Sequence, residues 1–138
     1  MIQIRKDYSF ILILLLIIFF SGCTTLADVK AAKGEGIKGI YMASRDDVWN
    51  SVVTYINDSA LDLVSEDKTN GIILAERGVN LANYGDNVAV FIDPLSDTKT
   101  SVEVVHKKAM ETNIFGAWWD QRIIKYLNEI YEHEEVPK

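Results

Sequence analysis

Cys23 is the only cysteine in the chain, so no disulfide forms within it and the fold must rest on a hydrophobic core. Histidine is almost as scarce. His106 and His133 fall on different predicted elements, and neither sits in a Cys/His spacing of the kind that holds zinc. No metal and no cofactor is therefore expected. Positive charge is also short, with 14 Lys and Arg against 20 Asp and Glu and a net charge of −6. Such a balance lacks the basic footprint that draws proteins to nucleic acid. Eight glycines are present, but none builds a phosphate loop. Gly34-Glu35-Gly36 precedes the first predicted strand instead of following one. No serine lies in a Gly-x-Ser-x-Gly elbow. Asp46 and Asp47 are adjacent on a predicted helix and so diverge by about 100°. A role in the first turn, against the helix dipole, accounts for them better than acid/base chemistry. The residues assemble no catalytic set, and the chain is read as a non-enzyme.

The amino-terminal segment is much more informative. Arg5 and Lys6 form a short positive region. Tyr8–Phe20 is then Ile, Leu and Phe broken only by Ser9. That run falls within the ~7–15 residues of a signal-peptide core and short of the ~20 that span a bilayer as a helix. Extending it back through Arg5, Lys6 and Asp7 would place three charges in hydrocarbon, at a cost of several kcal/mol. Ser21 and Gly22 supply small residues before a cleavage point. Residues 1–22 are therefore expected to be a signal peptide, cut between Gly22 and Cys23.

Phe20-Ser21-Gly22-Cys23 resembles the lipobox of bacterial lipoproteins, in which a large aliphatic residue and two small ones precede the cysteine. Phe20 stands where leucine is usual and keeps the position large and apolar. The resemblance implies that the Cys23 sulfur receives a diacylglyceryl group and that the new amino terminus can be acylated as well. It also implies an address. Thr24 is not the aspartate associated with inner-membrane retention, so the expected location is the outer membrane facing the periplasm, or the cell surface in a host with a single membrane. At ~0.8 kcal/mol per buried CH₂, two or three acyl chains anchor stably where one is marginal.

Residues 23–36 carry Thr, Ala, Lys, Gly and Glu with little apolar content, and read as a lipidated start followed by a flexible tether. Residues 37–133 read as one domain and 134–138 as a frayed tail. Within the domain, Ile37–Ala43 is a first strand and Ser44 a helix N-cap. Val48, Trp49, Val52 and Ile56 then recur at helical spacing to Asn57 or Asp58. Leu61–Glu66 alternates as a strand, Asn70-Gly71 is a hairpin signal, and Ile72–Arg77 returns. Asn87–Asp93 and Thr100–His106 complete the meander, with Val88, Val90 and Ile92 alternating against Ala89 and Phe91. The chain closes with an amphipathic helix from Gly116 to near His133, its stripe being Trp119, Ile123, Leu127 and Ile130. The expected fold is α+β, a two-layer sandwich of four or five antiparallel strands with both helices on one face.

This layout resembles small periplasmic lipoprotein domains of the helix, strand-meander, helix type. The resemblance is carried by Val48-Trp49, Gly71-Ile72-Ile73, Val88-Ala89-Val90 and the closing helix. The resemblance concerns architecture alone; the lipid anchor, the tether, the small acidic α+β domain and the missing catalytic set lead to the expectation of a non-enzymatic accessory module that binds an envelope protein partner. The candidate surface is Trp118, which points about 100° from the Trp119 stripe, with Arg122 as its stacking partner. A second candidate is Tyr84, in the apolar loop Leu81–Tyr84. Two alternatives are a small-molecule or lipid-binding domain with a pocket between helices and sheet, and an envelope hydrolase with a cleft of converging titratable groups.

Overall fold

The computed structural model describes residues 24–79, 85–109 and 117–134. The segment expected to be a signal peptide, Cys23, Tyr84 and residues 135–138 lie outside them. Three helices and six strands run in the order α1 (Leu26–Ala31), β1 (Ile37–Tyr41), α2 (Arg45–Asp58), β2 (Asp62–Asp67), β3 (Ile72–Arg77), β4 (Asp86–Ser96), β5 (Lys99–Lys108), α3 (Trp119–Ile130) and β6 (His133–Glu134). The fold is α+β, with one open antiparallel sheet in the order β2-β3-β4-β5-β1-β6. The five expected strands are present. The sixth is a two-residue addition in which Ile40 and Tyr41 pair with Glu134 and His133, so Glu134 is strand and not tail.

α2 begins where its cap predicts. The Ser44 hydroxyl oxygen accepts the Asp47 N–H at 3.2 Å and donates to the Asp47 carboxylate at 2.6 Å. Asp46 instead pairs with Lys68 at 2.9 Å. The Asp47 carboxylate thus helps to start the helix, and that of Asp46 ties down a turn. The β2–β3 hairpin turns at Gly71, whose φ is +71° and where a Cβ would overlap the Ile92 carbonyl. Asn70 donates to Asp67 through its side chain and its N–H, and so holds the Asp67 carboxyl below its ordinary 3.8. That support is complete above the ordinary value and fades as pH falls through the lowered one. β2 is a sheet edge. An irregular register between Leu63 and Ser65 leaves Val64 exposed and blunts the edge against further pairing.

α2 and α3 pack on one face of the sheet. Val48, Trp49, Val52, Ile56, Trp119, Ile123 and Leu127 meet Ile73, Val88, Val90, Ile92, Val102 and Val104 in one buried cluster. Tyr41 closes it, with its hydroxyl donating to Asn128 at 3.0 Å and burial pushing the phenol pKa upward. Gly39, two residues earlier on the same face, leaves room for that ring, since a Cβ there would overlap it. Ile130 departs from its expected place on the stripe and is exposed at the last turn.

The other face is not open. The segment expected to be a flexible tether contains α1, and α1 docks on the sheet. Val29 and Ala32 bury against Ala89, Phe91 and Val105, flanked by Leu26, Ile72 and Leu74. Six residues are too few for a stable isolated helix. Burial of Val29 contributes about 2 kcal/mol, and Asp28 accepts both Thr25 donors at 2.6 and 2.8 Å. The chain after α1 is held by Glu103, a side chain on the same sheet face that is almost fully buried. Its Oε1 accepts the N–H groups of Gly34 (2.5 Å) and Gly36 (2.9 Å). Lys33–Asp93 (2.7 Å) and Lys107–Glu35 (3.4 Å) flank it at the surface. The described residues before β1 therefore pack as part of the same unit as the sheet.

Replacing Glu103 with Ala leaves two backbone donors without their acceptor and should destabilise the domain by about 2–3 kcal/mol. Urea unfolding reads the loss. Amide exchange should show α1 losing protection before α2 and α3, and uniform loss across all three helices would contradict this account.

Candidate functional site

The features that the core does not explain gather at one end of the sheet. β3 ends there at Arg77, β4 begins at Asp86, β5 ends at Lys108 and α3 begins at Trp119. Antiparallel pairing sets Arg77 against Asp86 and Asp86 against Lys108. The start of the described chain joins the same end. The Thr24 N–H donates to the Ala109 carbonyl at 3.3 Å, and the Asn87 side-chain amide donates to the Thr24 carbonyl at 2.8 Å.

A buried polar group lies on the helix side of this end. Asp86 hydrogen-bonds through Oδ1 to His106 Nε2 at 3.0 Å, and its Oδ2 accepts the Trp119 indole N–H at 3.3 Å. His106 Nδ1 lies 3.8 Å from Asp120. The side chains of Asp86 and His106 are 0% and 4% exposed. Both residues lie near strand ends, yet both side chains are buried. Alternation puts His106 on the face of Val102 and Val104, and Asp86 on that of Val88 and Val90. A buried carboxylate in that position requires partners, and it has them. Sequence carries one signal for this pairing: a lone His in phase with the apolar face of a strand. Among the described residues no three His, Cys, Asp or Glu side chains are placed to hold a metal ion.

Trp118 is 57% exposed at the start of α3. Its expected stacking partner is elsewhere. The Arg122 guanidinium sits over the Trp119 ring, 5.3 Å from its centroid, while Lys108 Nζ lies 4.8 Å from the centroid of Trp118. Residues four apart on a helix share a face, but Trp118 precedes the first full turn and leaves the stripe. Arg122 thus covers the core tryptophan, and the exposed one is paired with the end of β5. Tyr84, the third candidate, lies outside the described residues.

On the α1 side, a cavity of about 440 Å³ opens between the start of α1 and the sheet end. Thr24, Leu26, Arg77, Val79 and Asn87 are among its lining residues. This is not the pocket expected between helices and sheet, where the described side chains form the continuous core. No helix among the described residues is long and apolar enough to cross a membrane. Compared with known proteins, the chain matches no family model and no curated sequence.

The Asp86–His106 pair ties the ends of β4 and β5 to α3. Asp86→Ala should cost about 3 kcal/mol, because it strands His106 and the Trp119 indole in a buried site. His106→Ala should cost a similar amount, and the double variant much less than the two together, since both remove one network. Additive losses in urea unfolding would show that the two residues act separately.

Proposed function

We propose that the chain is a membrane-anchored lipoprotein whose folded domain is a non-enzymatic binding or accessory module in the cell envelope. The observation that carries this is the sequence Phe20-Ser21-Gly22-Cys23 directly before Thr24, which is hydrogen-bonded to the end of the sheet through its N–H and its carbonyl. Cleavage before Cys23 would remove the apolar leader and leave the whole domain attached to a lipid. The location that follows is the outer membrane facing the periplasm, or the cell surface in a single-membrane host.

A non-enzymatic role fits the way the titratable groups are used. Asp86 and His106 brace the sheet against α3, Glu103 holds the chain after α1, Asp47 serves the start of α2 and Asp46 pairs with Lys68. What the domain offers instead is exposed apolar surface, with Val64, Val79, Leu95 and Trp118 each about half exposed or more. An envelope protein partner is the accessory role this reading includes. A second reading, binding of a small or lipidic molecule, has the 440 Å³ cavity in its favour, a volume within the usual range for ligand sites.

The test is Cys23→Ser in the full chain. The native protein should fractionate with membranes at the mature size and carry diacylglyceryl on the Cys23 peptide by mass spectrometry. The variant should accumulate as the longer precursor. A variant processed to the same size as the native protein would overturn the lipoprotein reading.

A further inference from the structure

We propose that the sheet end bearing Thr24, Val79, Lys108 and Trp118 lies directly against the lipid headgroups, so that the domain is held on the membrane in one orientation. The inference rests on the lipid at Cys23 and goes beyond it, since a lipid on a flexible spacer would leave orientation free.

The geometry removes the spacer. Thr24 is fixed through both its N–H and its carbonyl, to Ala109 and Asn87. Consecutive Cα atoms are ~3.8 Å apart, so the acylated residue stands one short step from the end of the sheet. Acyl chains in the hydrocarbon then bring this end, and no other, to the interface.

The side chains at that end suit the contact. Val79 is 74% exposed and Trp118 57% exposed, the two largest exposures among the described large apolar residues. Tryptophan favours the headgroup layer, where its ring is half in apolar surroundings and its N–H stays wet. Lys108 stands over the Trp118 ring. Arg77 is half-buried on the cavity wall beside Thr24. Among the described residues Arg77 and Lys108 have no carboxylate within ion-pair distance, as is true of Lys30, Arg45 and Arg122 elsewhere, whereas Lys33, Lys38, Lys68, Lys99, Lys107 and Lys125 do. In a chain of net charge −6, two unpaired cations at the lipid end match the phosphates of headgroups.

The experiment uses the full chain, processed in a bacterium, extracted from membranes and reconstituted into phosphatidylethanolamine/phosphatidylglycerol vesicles. Some of the lipid carries a nitroxide near the headgroup. Trp49 and Trp119 are 3% and 2% exposed, so subtracting the emission of Trp118→Phe isolates Trp118. The expected result is quenching of Trp118 by the lipid nitroxide and loss of its quenching by aqueous iodide. Arg77→Glu with Lys108→Glu should restore access to iodide while the protein stays anchored. A protein that carries lipid on Cys23, yet whose Trp118 is open to iodide in vesicles, overturns the orientation and leaves the lipoprotein reading standing. Protection of Trp118 in native membranes but not in protein-free vesicles also overturns it, by assigning the surface to a protein. Absence of lipid on Cys23 removes both.

Discussion

β4 is apolar on both sides, and most of the structure follows from covering it. From Asp86 to Ile92 every residue is buried. Val88, Val90 and Ile92 face α2 and α3, while Ala89 and Phe91 face the other way. A sheet with one solvated face would leave Phe91 and its neighbours in water. The domain therefore needs a second cover, and α1 is the only helix on that side among the described residues. The sandwich is two-layered over most of its area and three-layered over β3, β4 and β5.

A six-residue helix supplies little area, so its hold depends on polar contacts at its two ends. At one end Asn87 and Ala109 grip Thr24. At the other, Glu103 takes the N–H groups of Gly34 and Gly36. These contacts are specific where apolar packing is not: they fix the position of α1 along the sheet and the point at which the chain leaves it. On the opposite face Asp86 does comparable work, joining β4, β5 and α3 through His106 and Trp119. Buried carboxylates thus secure both layers, each satisfied by several donors, as the cost of desolvation demands.

Much of this was legible from residue patterns. The Ser44 cap, the spacing of α2, the Asn70-Gly71 turn and the meander all follow local rules, and local rules place them correctly. The second cover was missed for a physical reason. Val88–Ile92 is an unbroken apolar run, which is the mark of a strand buried on two faces. Reading it as alternation assigned Ala89 and Phe91 to solvent and left residues 24–36 without a role. Composition then made those residues look like a spacer, because α1 has too few apolar positions to announce itself. The network around Asp86 was hidden differently. Asp86 and His106 are 20 residues apart, and only strand register brings them together. The partner of Trp118 was missed because sequence proximity favoured Arg122, whereas the cation that reaches it comes from β5.

Docking α1 changes what a lipid on Cys23 would mean. A spacer of a dozen flexible residues would let the domain stand off by several nanometres at full extension and turn freely. With Thr24 held by the sheet, that freedom is gone. Rotation about such an anchor would sweep the far end of the domain but keep the β3–β4–β5 end at the interface. The surfaces left to meet other components would then be the far turns, around Gly71 and after Ser96, and the blunted β2 edge. Leu95 and Val64, both about half exposed, lie on those surfaces. With a lipid on Cys23, the element that would set which face of the domain points away from the membrane is the short helix required to cover Phe91.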